Sequence, residues 1–99
     1  MGQGISVYGA DSCRETRRTR EHLQDIGVRH RYINVDEDTV GDSRVRGWNE
    51  GMRRTPTVVV RGEAGTELLS VPSDNELDQA LSRQGFVSSG AEGATSSRR

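Results

Sequence analysis

The stretch from residue 57 to residue 70 constrains the fold more than any other part of this chain. Thr57-Val58-Val59-Val60 is a β-branched run of the kind that suits a buried central strand. Gly62-Glu63-Ala64-Gly65 follows as a Gly-bracketed turn and joins it to Glu67-Leu68-Leu69-Ser70, so the two strands pair antiparallel. Two earlier segments also have strand character. One is Ile5 to Tyr8; the other, Arg29 to Asp36, alternates with Ile33 and Val35 on one face and Tyr32 on the other.

Helical patterns fill the intervals. The first runs from about Arg14 to Ile26 and stops at Gly27, whose permissive backbone suits a helix end; its inward stripe is Thr16, Thr19, Leu23 and Ile26. The second spans about Thr39 to Asn49 with Val40, Val45 and Trp48 inward, and Gly41 and Gly47 weaken its regularity. Ser73-Asp74-Asn75-Glu76 matches a capping box, with Pro72 before it and Leu77, Ala80 and Leu81 at helical spacing after it, which predicts a third helix to about Gln84. The order β-α-β-α-β-β-α describes an α/β sandwich whose first two strands are parallel and whose last two form a hairpin.

A chain of 99 residues with 30% hydrophobic side chains holds one domain with a modest core. That domain is expected over 1–85. Residues 86–99 are poor in apolar side chains and rich in Ser and Gly, and are expected to form a disordered tail. Fourteen basic residues, all Arg, offset fifteen acidic ones, so charge gives no support to a nucleic-acid partner or an anionic membrane. No apolar run is long enough to span a bilayer. One cysteine cannot form an internal disulfide, and a cytoplasmic protein is expected. His22 and His30 lack the neighbours of a metal set, so no metal is expected, and neither a dinucleotide fingerprint nor a phosphate loop is present.

Chemistry therefore centres on Cys13, at the seam between the first strand and the first helix. A helix start offers backbone N–H groups without partners and the positive end of the macrodipole, so a thiol there is more readily held as thiolate, the nucleophilic form. Arg14 and Arg17 favour the anion and Glu15 opposes it, with the favourable set larger. Thr16 either donates its hydroxyl to the sulfur or packs beneath it. The run Arg17, Arg18 and Arg20 also reads as a solvated helix face.

Val7 to Thr16, with Cys13 at the attacking position, Leu23, Gly27-Val28, Asn34-Val35-Asp36, Arg54-Thr55-Pro56-Thr57-Val58 and Val71-Pro72-Ser73-Asp74 together resemble the glutaredoxin form of the thioredoxin fold. The likeness covers nearly all of Ile5 to Gln84 and looks closest to mycoredoxin-like proteins. It implies a three-layer sandwich around a four-stranded mixed sheet, with Cys13 catalytic and Pro56 cis and facing it. Thr55, Pro56, Ser73 and Asp74 would bind a small thiol or a peptide, with Asp74 suited to a ligand ammonium. Ser73 and Asp74 equally suit a purely capping role. Thr16 stands where the family's second cysteine lies, so the motif is a monothiol Cys-Arg-Glu-Thr and no dithiol cycle is possible within the chain.

The resemblance implies a monomeric thiol–disulfide oxidoreductase with no bound cofactor. It would reduce mixed disulfides on client proteins with a low-molecular-weight thiol, mycothiol or glutathione, as co-substrate. The alternative is a catalytically weakened protein-binding or redox-sensing module that keeps the groove beside Pro56. Cluster-carrying monothiol relatives have a Gly-Phe-Ser tail on the cysteine motif, which Arg14-Glu15-Thr16 does not match.

Overall fold

The computed structural model describes residues 2–87. Seven elements follow in the expected order: β1 (Gly4–Gly9), α1 (Arg14–Asp25), β2 (Arg31–Asn34), α2 (Thr39–Trp48), β3 (Thr57–Gly62), β4 (Gly65–Ser70) and α3 (Asp74–Arg83). They form one mixed sheet in the order β2-β1-β3-β4. β1 runs parallel to β2 and antiparallel to β3, and β3 pairs antiparallel with β4. This is the thioredoxin-like architecture.

Alternation along the inner strands divides the core into two layers. On one face Ile5, Val7, Val58 and Val60 pack with Leu23 of α1 and with Leu77, Ala80 and Leu81 of α3. On the other, Tyr8 and Val59 pack with Val35 and with Val45 of α2. Residues 57–60 are buried without a break, as a strand covered on both faces requires. Each such valine contributes roughly 1.5–3 kcal/mol relative to exposure.

Two helices present different residues from those the pattern predicts. α1 buries Thr16, Thr19 and Leu23, but Ile26 caps its C-terminal end and is exposed. α2 buries Gly41 and Val45, whereas Val40 is exposed and Trp48 lies at the rim, its ring edge-on to Tyr8 at 5.2 Å. Gly41, read from sequence as a weakness, is the point of closest approach: a Cβ there would lie 2.7 Å from Ile33 Cγ2. Asp38 caps this helix by accepting from the Gly41 N–H at 2.8 Å.

The hairpin is fastened to the end of α3. The Gln84 carbonyl accepts from the Glu63 N–H at 3.1 Å and its side-chain oxygen from the Ala64 N–H at 3.0 Å. Glu67 receives Arg83 and the Gln84 amide, and these bonds, Arg83 foremost, hold its carboxyl down to about 2. Phe86 and Val87 pack against the core. These two are the first residues of the tail expected over 86–99, so the domain extends to them rather than ending at 85; the rest of that tail, 88–99, lies outside the described residues. No helix among the described residues is long and apolar enough to cross a membrane.

Candidate functional site

Three segments that are distant in sequence meet at the C-terminal end of β1. The first is the link from β1 to α1. Cys13 is the N-cap residue of α1, extended at φ −84° and ψ 118°, and its own side chain forms no cap bond. Cys13 is half-buried. Thr16 tucks beneath the link, 1% exposed, where its Oγ1 accepts from the Ala10 N–H at 3.4 Å. That position is open only because residue 9 lacks a side chain, since a Cβ on Gly9 would come within 2.5 Å of Thr16 Oγ1. Tyr32 holds the outer side of the link by donating its hydroxyl to Asp11 at 2.8 Å.

The second segment is the approach to β3. Asn49, buried, donates its amide to the Val45 carbonyl at 2.7 Å and to Thr57 Oγ1 at 3.3 Å, while Thr57 Oγ1 donates to the Arg54 carbonyl at 2.7 Å. These bonds set Thr55 over the sulfur, 42 positions from it in sequence. The Thr55 hydroxyl lies 3.5 Å from Cys13 Sγ and the Thr55 carbonyl 3.6 Å from it. The Thr55–Pro56 peptide bond is cis. A protonated thiol donates to that carbonyl; a thiolate instead accepts the hydroxyl.

The third segment is the turn from β4 into α3. The Val71 N–H donates to the Pro56 carbonyl at 2.8 Å, and Val71 has φ 46°, the left-handed region that a β-branched residue rarely adopts. Ser73 and Glu76 form the full capping box. Asp74 has cationic neighbours on another helix: its carboxylate lies 3.6 Å from His22 Nδ1 and 4.0 Å from Arg18 Nε. His22 Nε2 in turn meets Asp78 Oδ1 at 2.6 Å, so this histidine bridges α1 and α3.

Burial opposes ionisation of Cys13, yet the hydroxyls of Thr16 and Thr55 and the backbone N–H groups of Thr16 and Glu15 outweigh it, and the thiol lies below its ordinary value. The groups responsible are dipoles. Arg14 is exposed, and Arg17 turns its guanidinium to the Asp11 carbonyl at 3.5 Å. The Thr55 hydroxyl is the contribution that sequence reasoning missed. The Thr-Pro pair was visible, but only the fold brings residue 55 to residue 13. No cluster of His, Cys, Asp or Glu that could hold a metal ion lies among the described residues.

The hydroxyl contribution is testable. Thr16→Val keeps the volume but removes the donor, so the midpoint of Cys13 alkylation against pH moves upward. The sign follows from linkage: the native thiol releases its proton more readily than the unfolded one, so ionisation adds stability that is present above the unfolded value and lost as pH falls through the native one. In Thr16→Val that gain begins at a higher pH. An unchanged alkylation midpoint would count against the hydroxyl.

Residues 5–64 match the family model described as glutaredoxin. No curated protein sequence matches the chain. Among solved structures, the glutaredoxin of Archaeoglobus fulgidus is similar at TM-score 0.63 and 22% identity, over 80% of this chain and 86% of that one. A wheat glutaredoxin gives 0.57 and 19% identity over 84% and 74% of the two chains. The holo form of glutaredoxin C1 from Populus tremula x tremuloides gives 0.56 and 19% identity over 95% and 85%. At these identities the structural likeness speaks to the fold. The family model itself spans well over half of the chain, and this protein belongs to the glutaredoxin family.

Proposed function

We propose that this protein is a monothiol, mycoredoxin-like thiol–disulfide oxidoreductase in which Cys13 is the catalytic nucleophile and a low-molecular-weight thiol is the reductant. The observation that carries the reading is the half-exposed Cys13 sulfur at the start of α1, with its ionisation favoured by neighbouring dipoles and the Thr55–Pro56 segment beside it. The Cys13 thiolate attacks the small-thiol sulfur of a mixed disulfide. A new S–S bond forms to Cys13, the old one breaks, and the client leaves as thiolate and takes a proton from water. A second small thiolate then attacks the adduct, releasing the Cys13 thiolate and a symmetric small-molecule disulfide. In net, one free small thiol is consumed for each client thiol released, and the disulfide bond passes from the client to the symmetric small-molecule disulfide.

Thr16, at the position of the absent second cysteine, keeps the cycle from closing within the chain. Thr55 and Pro56 would flank the small thiol, with the Thr55 backbone available to an extended peptide. Ser73 and Asp74 would receive the small thiol's polar arm at the start of α3. Since Arg18 and His22 already face Asp74, a ligand ammonium would have to compete with them.

Mass spectrometry after acid quench tests the reading. Reduced protein mixed with a mixed disulfide should gain one small-thiol adduct on Cys13, and added free thiol should discharge it. The reading fails if no adduct forms, or if one forms that thiol cannot remove. Slow alkylation with no adduct would instead fit the weakened binding module.

A further inference from the structure

A depression of about 650 Å³ opens at the start of β1, at the opposite end of that strand from the sulfur. Register explains how it is built. Ser6 stands opposite Arg31 on β2 and Val59 on β3, and Gly4 stands opposite Arg61. Alternation places Gly4 and Ser6 on the face they share with Tyr8, which α2 covers. No residue of α2 lines the depression, so the helix roofs the Tyr8 end of the sheet and leaves the Gly4 end bare. Gly4 adds no bulk, and a Cβ there would meet nothing within 4 Å.

The charge on this bare end is one-sided. Arg29, Arg31 and Arg61 line it together with His30, and no Asp or Glu does. All three arginines are exposed. None is in an ion pair with a carboxylate of the described residues, whereas Arg46, Arg53 and Arg83 each are. Behind the cleft a fourth guanidinium, that of Arg20, bonds His30 Nε2 at 3.1 Å and lies over the Tyr32 ring at 3.9 Å. In a chain with a net charge of −1, three unneutralised guanidiniums around one depression form a local positive field that an anion relieves. Each offers a planar donor fork matched to phosphate oxygens.

We propose that this cleft binds a small polyanion carrying two or more phosphate groups, gripped by Arg31 and Arg61 from the sheet and by Arg29 at the rim. The volume falls in the range of small-ligand sites, roughly 300–1,000 Å³. A polyphosphate also concentrates its charge over few atoms, which matches three cations around one spot better than the spaced carboxylates of an acidic peptide. The site is independent of the thiol. The six residues of β1, at roughly 3.3 Å each, separate the two ends.

Calorimetric titration of the full chain with inorganic tripolyphosphate tests it, with sulfate and a hexaglutamate peptide as comparison probes. The expected result is saturable one-to-one binding of tripolyphosphate, well tighter than sulfate. Arg31→Ser with Arg61→Ser should weaken it by about tenfold or more, as loss of two charge-assisted contacts predicts. Arg61→Lys, which keeps the charge but not the fork, should fall between. Cys13→Ser should bind like the unaltered chain, and the double arginine variant should retain its mixed-disulfide turnover. Non-saturable uptake, equal affinity in the double variant, or binding of hexaglutamate in preference to tripolyphosphate would overturn the proposal.

Discussion

Replacing Cys13 by serine is expected to abolish mixed-disulfide reduction, a loss of at least about 1,000-fold, because a serine hydroxyl is not appreciably ionised near neutral pH and oxygen is a poor nucleophile toward disulfide sulfur. Nothing else in the chain can substitute, since Cys13 is its one cysteine. The change should leave the fold intact. Cys13 is half-buried and its contacts to Thr55 are long, at 3.5 and 3.6 Å, so the stability change should stay within roughly 1 kcal/mol. A steady-state thiol-transfer assay beside a urea melt separates the two effects. Turnover that survives the substitution would remove the sulfur from the mechanism.

Gly9→Ala should have the largest effect on stability near the site and should act on chemistry as well. The new methyl would fall on Thr16, which is 1% exposed and engaged with the Ala10 N–H, so neither partner can step aside freely. Overpacking of this kind costs about 3 kcal/mol. Whatever relaxation occurs must displace the Thr16 hydroxyl, and with it one of the groups that favour the thiolate, so the alkylation midpoint should rise together with the loss in stability. Thr16→Ala removes most of the obstruction. In that background the penalty for Gly9→Ala should shrink, a non-additivity that identifies the contact as the cause. Additive penalties in urea unfolding would place the strain elsewhere.

Much of the fold was legible because local signals agreed. The valine run, the Gly-bracketed hairpin and the Ser73–Glu76 capping box each name one conformation, and β3, β4 and α3 occur where they point, while β2 is shorter than the expected 29–36, spanning Arg31–Asn34. What could not be read was rotation of helices about their own axes. Val40 and Trp48 are as apolar as Val45, but the docking of α2 is decided by Gly41 against Ile33, a contact between elements that periodicity does not contain. Ile26 illustrates the same limit at a helix end, where the chain turns away before the last apolar residue reaches the sheet.

The candidate site was legible to a similar degree. Cys13 and Thr16 could be named from their place at a helix start, Thr55 and Pro56 from the resemblance to glutaredoxins, and the fold brings Thr16 and Thr55 to the sulfur. The direction of the thiol's ionisation also follows the sequence reading. Its cause does not. Counting guanidiniums near residue 13 pointed to Arg14 and Arg17, but an exposed cation on a long side chain is solvated and turns to other acceptors, whereas a hydroxyl fixed by burial cannot. The neighbours of Asp74 were not legible for a related reason: Arg18 and His22 lie on another helix, and only packing sets them beside it.

That the sulfur is steadied by hydroxyl and amide dipoles, while the far end of the sheet gathers whole charges, divides the molecule by its response to electrolyte. Debye screening weakens attraction between exposed full charges but hardly touches a short hydrogen bond. In concentrated brine the arginine cleft would fall silent and the thiol would go on reacting much as before.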